Sequence, residues 1–334
     1  MLIFLYHLYM SDKIKSSDSC DEEIFFVPGC LGTCWYGKYH YLEPFTGCQH
    51  DCVYCYAKGR SDVMKKVQAL GGKFTDPQIG QEPEKALAAM KKEIDSDPKI
   101  HTIKLSRYTD IFCKKFVDNG YSYAVLKLLC EHPQIKRIII TTKGIPNEEI
   151  MGLIEKYPQK FSYSAAIKPA AKICMETNVP PREERIKYAA RAKKAGALVT
   201  IHMDPLITGV EDTEEVLRPF FKQLKEAGLN RVMFSYLLYD YTIAKNIVER
   251  FGEGFFAKLK ENYLHNDRQI LPAQKETTYH ALKHEVKLES VKRISNLLKE
   301  YGFDFVVCGL KSSDSEDVRD LKQHSHVCDG KFYA

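Results

Sequence analysis

The 334-residue chain has no apolar run long enough to cross a bilayer. Its opening, MLIFLYHLYM, stays apolar for only ten residues, where a spanning helix needs about 20. That segment also lacks the basic flank and small-residue cleavage site of a secretory signal. Met10 is an alternative start of translation, and the expected location is the cytoplasm. No long stretch is purely basic, so the formal net charge of +5 permits an anionic partner without demanding one. There is no internal repeat and no low-complexity segment. No G-x-G-x-x-G follows the first strand-like run and no Walker loop occurs, which removes support from nucleotide folds of those kinds.

Cysteine, by contrast, is plentiful. Eleven cysteines is an odd number in a long chain, whereas a secreted disulfide scaffold is shorter and denser. In a reducing compartment, clustered cysteines read as metal ligands. Cys113, Cys130 and Cys174 stand alone among apolar neighbours and read as small core residues.

An apolar content of 44% and a charged content of 28% are ordinary for a globular protein. The length suffices for one large core, with or without an appendage. From about residue 40, apolar β-branched runs alternate with helical patterns. The runs are 101–106, 136–142, 160–166, 197–207, 231–238 and 303–309. The helical patterns are 82–94, 122–132, 146–157, 181–196 and 213–228. Such alternation means βαβ units and a parallel sheet. About six units lie between residues 41 and 238, either an open doubly wound sheet or part of a barrel, which periodicity does not separate. Residues 1–40 read as an N-terminal arm and 241–334 as a mostly helical C-terminal extension with one last strand.

The first strand-like run leads directly into FTGCQHDCVYCYAKGR, residues 45–60. Cys48, Cys52 and Cys55 are spaced C-x3-C-x2-C. Four thiolates close a zinc site or fill an iron–sulfur cluster, while three on a cubane leave one iron open for a ligand. Tyr54 adds an aromatic face. A zinc knuckle completed by a residue such as His50 is the alternative reading of the same loop.

This spacing, with an aromatic before the last cysteine and βα units downstream, resembles the radical S-adenosylmethionine superfamily. Within it, GCQHDCVYCYA followed by SRYTD, TTKG, YSAA and PPREERIKYAARAKKAGALVTIHMDPLITGVED is similar to the spore photoproduct lyase-like branch, over roughly residues 41–240. The resemblance implies an α/β fold, an open partial (β/α)6 TIM-type barrel. It also implies a 4Fe–4S cluster on Cys48, Cys52 and Cys55, with S-adenosylmethionine at its open iron. One electron from an external reductant of flavodoxin or ferredoxin type would cleave the sulfonium and yield a 5′-deoxyadenosyl radical, which takes hydrogen from substrate.

Cofactor contacts are implied for Tyr54, Tyr56, Thr109, Lys143 and Ser164, and Met203 is implied to lie near the adenine. All lie at or near strand C-termini, where barrel sites are built. The alternatives are a core aromatic for Tyr56, a helix N-cap for Thr109-Asp110, a solvated strand end for Lys143 and a core serine for Ser164. Glu176 and Arg185 match a bracing pair in the branch, or else form a surface salt bridge. The lyase's donor cysteine beside the Thr/Ser-Asp motif has no counterpart in Ser106-Arg107-Tyr108-Thr109-Asp110, so either Tyr108 is the hydrogen donor or the chain catalyses a different reaction on its own substrate. The alternative for Tyr108 is simple packing against the cofactor. Cys113, a few residues further on, points in a different direction if a helix starts at Thr109.

Outside the core, Cys30 and Cys34 could meet Cys308 and Cys328 on an auxiliary iron–sulfur cluster or zinc ion, with His324 and His326 nearby. The implied substrate is a nucleic acid or nucleotide. A peptide or small metabolite modified by the same chemistry, and a non-catalytic metal scaffold, are the competing readings.

Overall fold

In the computed structural model the described residues are 24–29, 39–169, 173–265, 279–309, 315–328 and 332. Nine strands form one sheet: β1 (Phe26–Pro28), β2 (His40–Leu42), β3 (Thr102–Leu105), β4 (Arg137–Thr142), β5 (Phe161–Ala165), β6 (Leu198–Leu206), β7 (Arg231–Tyr236), β8 (Asp304–Cys308) and β9 (His326–Cys328). They lie side by side in chain order, so β1 and β9 are the edges and the sheet is open. Among the described strands only the β1–β2 pair is antiparallel.

The helices are α1 (Ser61–Ala69), α2 (Pro83–Ser96), α3 (Lys114–Asp118), α4 (Tyr121–Glu131), α5 (Glu148–Lys156), α6 (Arg182–Lys194), α7 (Glu214–Glu226), α8 (Tyr241–Phe251), α9 (Glu253–Lys260), α10 (His284–Glu300) and α11 (Ser315–Leu321). Among the described residues no helix is long and apolar enough to cross a membrane.

Local chemistry accounts for these elements. β4, with Ile138, Ile139 and Ile140 all buried, is the continuous β-branched run of a strand covered on both faces. The Asn147 side chain accepts from the Ile150 amide at 3.0 Å and caps α5, and Asp240 caps α8 through the Ile243 amide at 2.8 Å. Each cap satisfies an amide that the first turn leaves unpaired.

The two sheet faces differ in chemistry. Ile103, Ile138, Ile140, Phe161 and Ile201 belong to the large core shared with the helices. Alternation turns their neighbours the other way. On that inner face Tyr41, Ile139, Met233 and Val306 form a small apolar cluster. Ser162 lies opposite Ile139 in register, and Ser164 lies opposite Thr200.

The predicted strands and helices of residues 82–238 are all present, within two residues at most boundaries. Two features differ from expectation. The N-terminal arm supplies β1, which pairs with β2. In the C-terminal region the expected last strand is β8, parallel to β7, and a further strand, β9, follows it parallel to β8.

Candidate active site

The loop after β2 carries the three cysteines, and backbone bonds hold it on both sides. Thr46 and Gln78 exchange amide bonds, both 2.9 Å. The Cys48 amide donates to the Phe74 carbonyl at 2.7 Å and the Val53 amide to Met175 at 2.9 Å. Gly47 takes φ +96°, and a Cβ there would lie 2.6 Å from the Phe74 oxygen, so only glycine fits. Asp51 adopts φ 51°, which an Asx residue tolerates. A 3₁₀ turn, Tyr56–Gly59, follows the last cysteine.

Asp110, beyond β3, is the hub that joins this loop to the sheet. Its carboxylate accepts from the Thr142 hydroxyl at 2.6 Å, the Lys143 amide at 2.7 Å and the Phe112 amide at 2.9 Å. His50 Nε2 lies 3.0 Å away and completes a buried pair. Burial opposes ionisation of both partners, yet their mutual attraction lowers Asp110 and raises His50 to about 9. His50 is therefore engaged in holding the loop and is not offered as a fourth metal ligand. Thr109 donates its hydroxyl to the Gly47 carbonyl. The helix expected at Thr109 begins at Lys114, so Thr109-Asp110 is a loop clamp and no helix cap.

Tyr54 sits in a charged cage. Its hydroxyl donates to Glu176, and the ammonium groups of Lys168 and Lys143 lie 4.7 and 5.5 Å from its ring centre. Arg185 pairs with Glu176 at 3.2 Å and reaches the Ala166 carbonyl at 2.7 Å. Lys168 pairs with Glu211 at 2.9 Å. The Glu176–Arg185 pair is buried, so it is the brace and not a surface bridge. Burial pushes Glu176 up, but Lys168, Lys143 and Arg185 outweigh it and hold it at about 2. Burial also disfavours the charge on Lys143, and the nearby Cys52, Glu176 and Asp110 more than offset that. Among the described residues Lys143 makes no ion pair. Three cations face two carboxylates around Tyr54, which leaves one positive charge for a ligand's anionic group.

The three thiols carry protons when no metal is bound. Cys48 is raised by its contact with Cys113 and by burial, Cys52 is pushed by burial to about 12, and burial raises Cys55. Metal loading must therefore release protons. Among the described residues no three His, Cys, Asp or Glu side chains converge on a point that one metal ion could fill.

The remaining expected residues divide. Ser164 is fully buried and among the described residues its Oγ has no hydrogen-bond partner, as is also true of Thr200 beside it. Tyr56 donates its hydroxyl to the Arg107 carbonyl. Tyr108 meets Tyr56 edge-on at 6.0 Å and packs, as Cys48 and Cys55 also do, against the small cluster of Ala57, Val63, Val67 and Phe74. Met203 does not join them: it is fully buried in the helix-side core, while His202 and Asp204 alternate to the inner face. Of the presumed core cysteines, Cys130 is buried and Cys174 is exposed. Cys113 is buried, but its sulfur lies 4.0 Å from that of Cys48. Cys308 and Cys328 face each other in register across β8 and β9, whereas Cys30 and Cys34 lie outside the described residues.

No protein-family profile and no curated protein sequence matches the chain. Solved structures do. A cysteine-to-alanine variant of spore photoproduct lyase with dinucleoside spore photoproduct aligns at TM-score 0.57 and 15% identity, over 80% of this chain and 75% of that one. The chain has the fold of spore photoproduct lyase. A double variant of the lyase holding AdoMet and the dinucleoside photoproduct aligns with the same scores. A tyrosine-to-phenylalanine variant of the lyase covers 90% of this chain and 92% of its own, at TM-score 0.57 and 15% identity.

Sequence reasoning missed Lys168, Glu211 and Glu43. Lys168 and Glu211 are 43 residues apart and carry no motif. Glu43 accepts from the Arg107 and Tyr108 amides. Its position one residue beyond β2, beside the cysteine loop, was the available signal.

Proposed function

We propose that this chain is a radical S-adenosylmethionine enzyme of the spore photoproduct lyase type that acts on a nucleic acid or nucleotide. The observation that carries the reading is the cysteine loop, clamped by Asp110 at the C-terminal end of an open parallel sheet with the lyase fold. When bound, a 4Fe–4S cluster with S-adenosylmethionine supplies one-electron cleavage of the sulfonium and a 5′-deoxyadenosyl radical. Cys48, Cys52 and Cys55 would hold that cluster. The donor set fits: three thiols and, among the described residues, one uncompensated cation and buried hydroxyls without partners.

In this reading the Lys143 ammonium takes the cofactor's carboxylate, and Ser164 supplies its Oγ to the amino-acid end. Tyr54 presents its ring to the adenosyl group and is fixed by Glu176 and Arg185. Tyr56 borders the adenosyl group, and Thr109 keeps the loop against β3. Tyr108 serves as hydrogen donor. Its ring is half-buried, and its hydroxyl makes no hydrogen bond among the described residues. A flavodoxin- or ferredoxin-type protein is the electron source, and the cytoplasm the working compartment. Cys308 and Cys328, with Cys30 and Cys34, would hold an auxiliary iron–sulfur cluster or zinc.

The test is anaerobic purification with iron, sulfide and visible absorbance, followed by reduction with S-adenosylmethionine. Formation of 5′-deoxyadenosine, lost on Cys→Ala at each of the three positions, is the expected result. Zinc in place of iron, or no turnover, overturns the reading. For the donor, reduced enzyme is offered the dinucleotide spore photoproduct. Efficient repair that is indifferent to Tyr108→Phe excludes Tyr108.

A further inference from the structure

The 3₁₀ turn after the cysteines separates two groups of side chains, in which Arg107, Arg60 and Tyr241 have no part in the chemistry above. On one side Arg107 lies with its guanidinium carbon 4.9 Å from the Tyr108 ring centre and 5.5 Å from that of Tyr41. Arg60 lies 5.2 Å from the Tyr108 ring. The backbone around Arg107 is pinned, with its amide bonded to Glu43 and its carbonyl to the Tyr56 hydroxyl. On the other side α8 abuts the turn so closely that a Cβ on Gly59 would lie 3.1 Å from Asp240 and 3.2 Å from Thr242. Tyr241, between those two, is 84% exposed.

The charges on this rim are not equivalent. Arg60 forks onto Asp62 at 3.0 and 3.1 Å, and Lys58 pairs with Asp51. Arg107 makes no ion pair and no side-chain hydrogen bond among the described residues. Glu43, the carboxylate beside it, is engaged by backbone amides. Arg107 thus has aromatic faces to hold it in place and an open N–H edge. A guanidinium so held matches the fork of phosphate oxygens. The exposed rings of Tyr56, bonded to the Arg107 carbonyl, and of Tyr241, across the turn, suit stacked bases, which every nucleotide offers irrespective of sequence. An acidic peptide would use the cation and leave the rings idle.

We infer that this rim binds single-stranded nucleic acid, with Arg107 on a backbone phosphate and Tyr241 stacked on a base. The inference rests on the proposed substrate class and assigns its contacts. It is tested by anisotropy of a labelled oligothymidylate with the full-length, cluster-loaded protein across a salt series. Each phosphate contact in a single strand contributes about 0.7 to the slope of log K against log salt. Arg107→Gln should weaken binding and lower that slope by about 0.7, and Arg107→Lys should keep the slope. Tyr241→Ala should weaken binding roughly 5- to 100-fold with the slope unchanged. Near-UV circular dichroism of each variant, matching wild type, verifies the fold.

An unchanged slope in Arg107→Gln overturns the assignment. So does polyglutamate that binds as tightly as the oligonucleotide and with the same dependence on Arg107, which would make the rim a peptide site. Wild-type protein that cleaves S-adenosylmethionine but binds no oligonucleotide overturns the inference and leaves the enzyme reading intact. Oligonucleotide binding with the expected slopes but no cleavage supports the rim and defeats the enzyme reading.

Discussion

Tyr54 shows how much a single residue here depends on its surroundings. Its ring lies against two ammonium groups and its hydroxyl on a buried carboxylate. Tyr54→Ala should weaken S-adenosylmethionine binding by the stacking contribution, on the order of 1–3 kcal/mol. Equilibrium dialysis measures it, and wild-type affinity in the variant would misplace the adenosyl group. Glu43 gives a pH prediction. Burial raises its pKa from 4.5 to about 7, against the pull of the Arg107 and Tyr108 amides. The folded state therefore favours the protonated form. Glu43 contributes stability below about pH 4.5 and loses it as pH rises toward 7. Glu43→Gln should flatten this part of the stability–pH curve in urea titrations. An unaltered curve would mean that Glu43 ionises normally in the folded protein.

At the scale of elements, the joints between loops and strands carry the site. Gly144 follows Lys143 at the end of β4, and a Cβ there would lie 2.3 Å from the Phe112 carbonyl oxygen. Gly144→Ala must push the Asp110 loop away from β4, at a cost of about 1–3 kcal/mol. Thermal melts should show the loss, and S-adenosylmethionine affinity should fall with it because Lys143 moves. The brace between α6 and the segment after β5 behaves differently. Arg185→Met removes one of the three cations around buried Glu176, which keeps Lys168, Lys143 and the Tyr54 hydroxyl. The loss should therefore fall below the roughly 3–5 kcal/mol of a wholly uncompensated buried charge. Adding Glu176→Gln removes the carboxylate that has lost its closest ion-pair partner and should recover part of the loss. A double variant no more stable than Arg185→Met alone would mean the pair acts through packing only.

For the whole molecule, the continuity of the sheet decides what can be removed. β8 and β9 extend the same sheet as the six-unit core, and Val307 and Phe305 add to its apolar core. Deleting residues 303–334 should therefore expose the β7 edge and yield aggregated protein without near-UV dichroism. A soluble, folded remainder would make the C-terminal region a separate unit. The auxiliary metal is a second question at this scale. A variant with Cys48, Cys52 and Cys55 all changed to Ala should keep bound metal if the chain ends share a site. A metal-free variant under reconstituting conditions removes that proposal.

The sequence by itself determined the strand–helix alternation, because period-2 and period-3.6 patterns and helix-end residues are local. It also singled out the cysteine loop, whose three cysteines lie within eight positions. Only the tertiary structure decided the rest. That Glu176 and Arg185 are a buried brace, that Asp110 clamps the loop through His50, and that Lys168 meets Glu211 depends on contacts between distant segments. No pattern in the chain encodes such contacts. Met203 and Cys113 show the same limit from the other side. Their neighbours in sequence matched a motif or an apolar run, but strand alternation turned Met203 to the helix face and the α3 boundary turned Cys113 toward Cys48. Which way a side chain points is set by register and packing, and those exist only once the chain has folded.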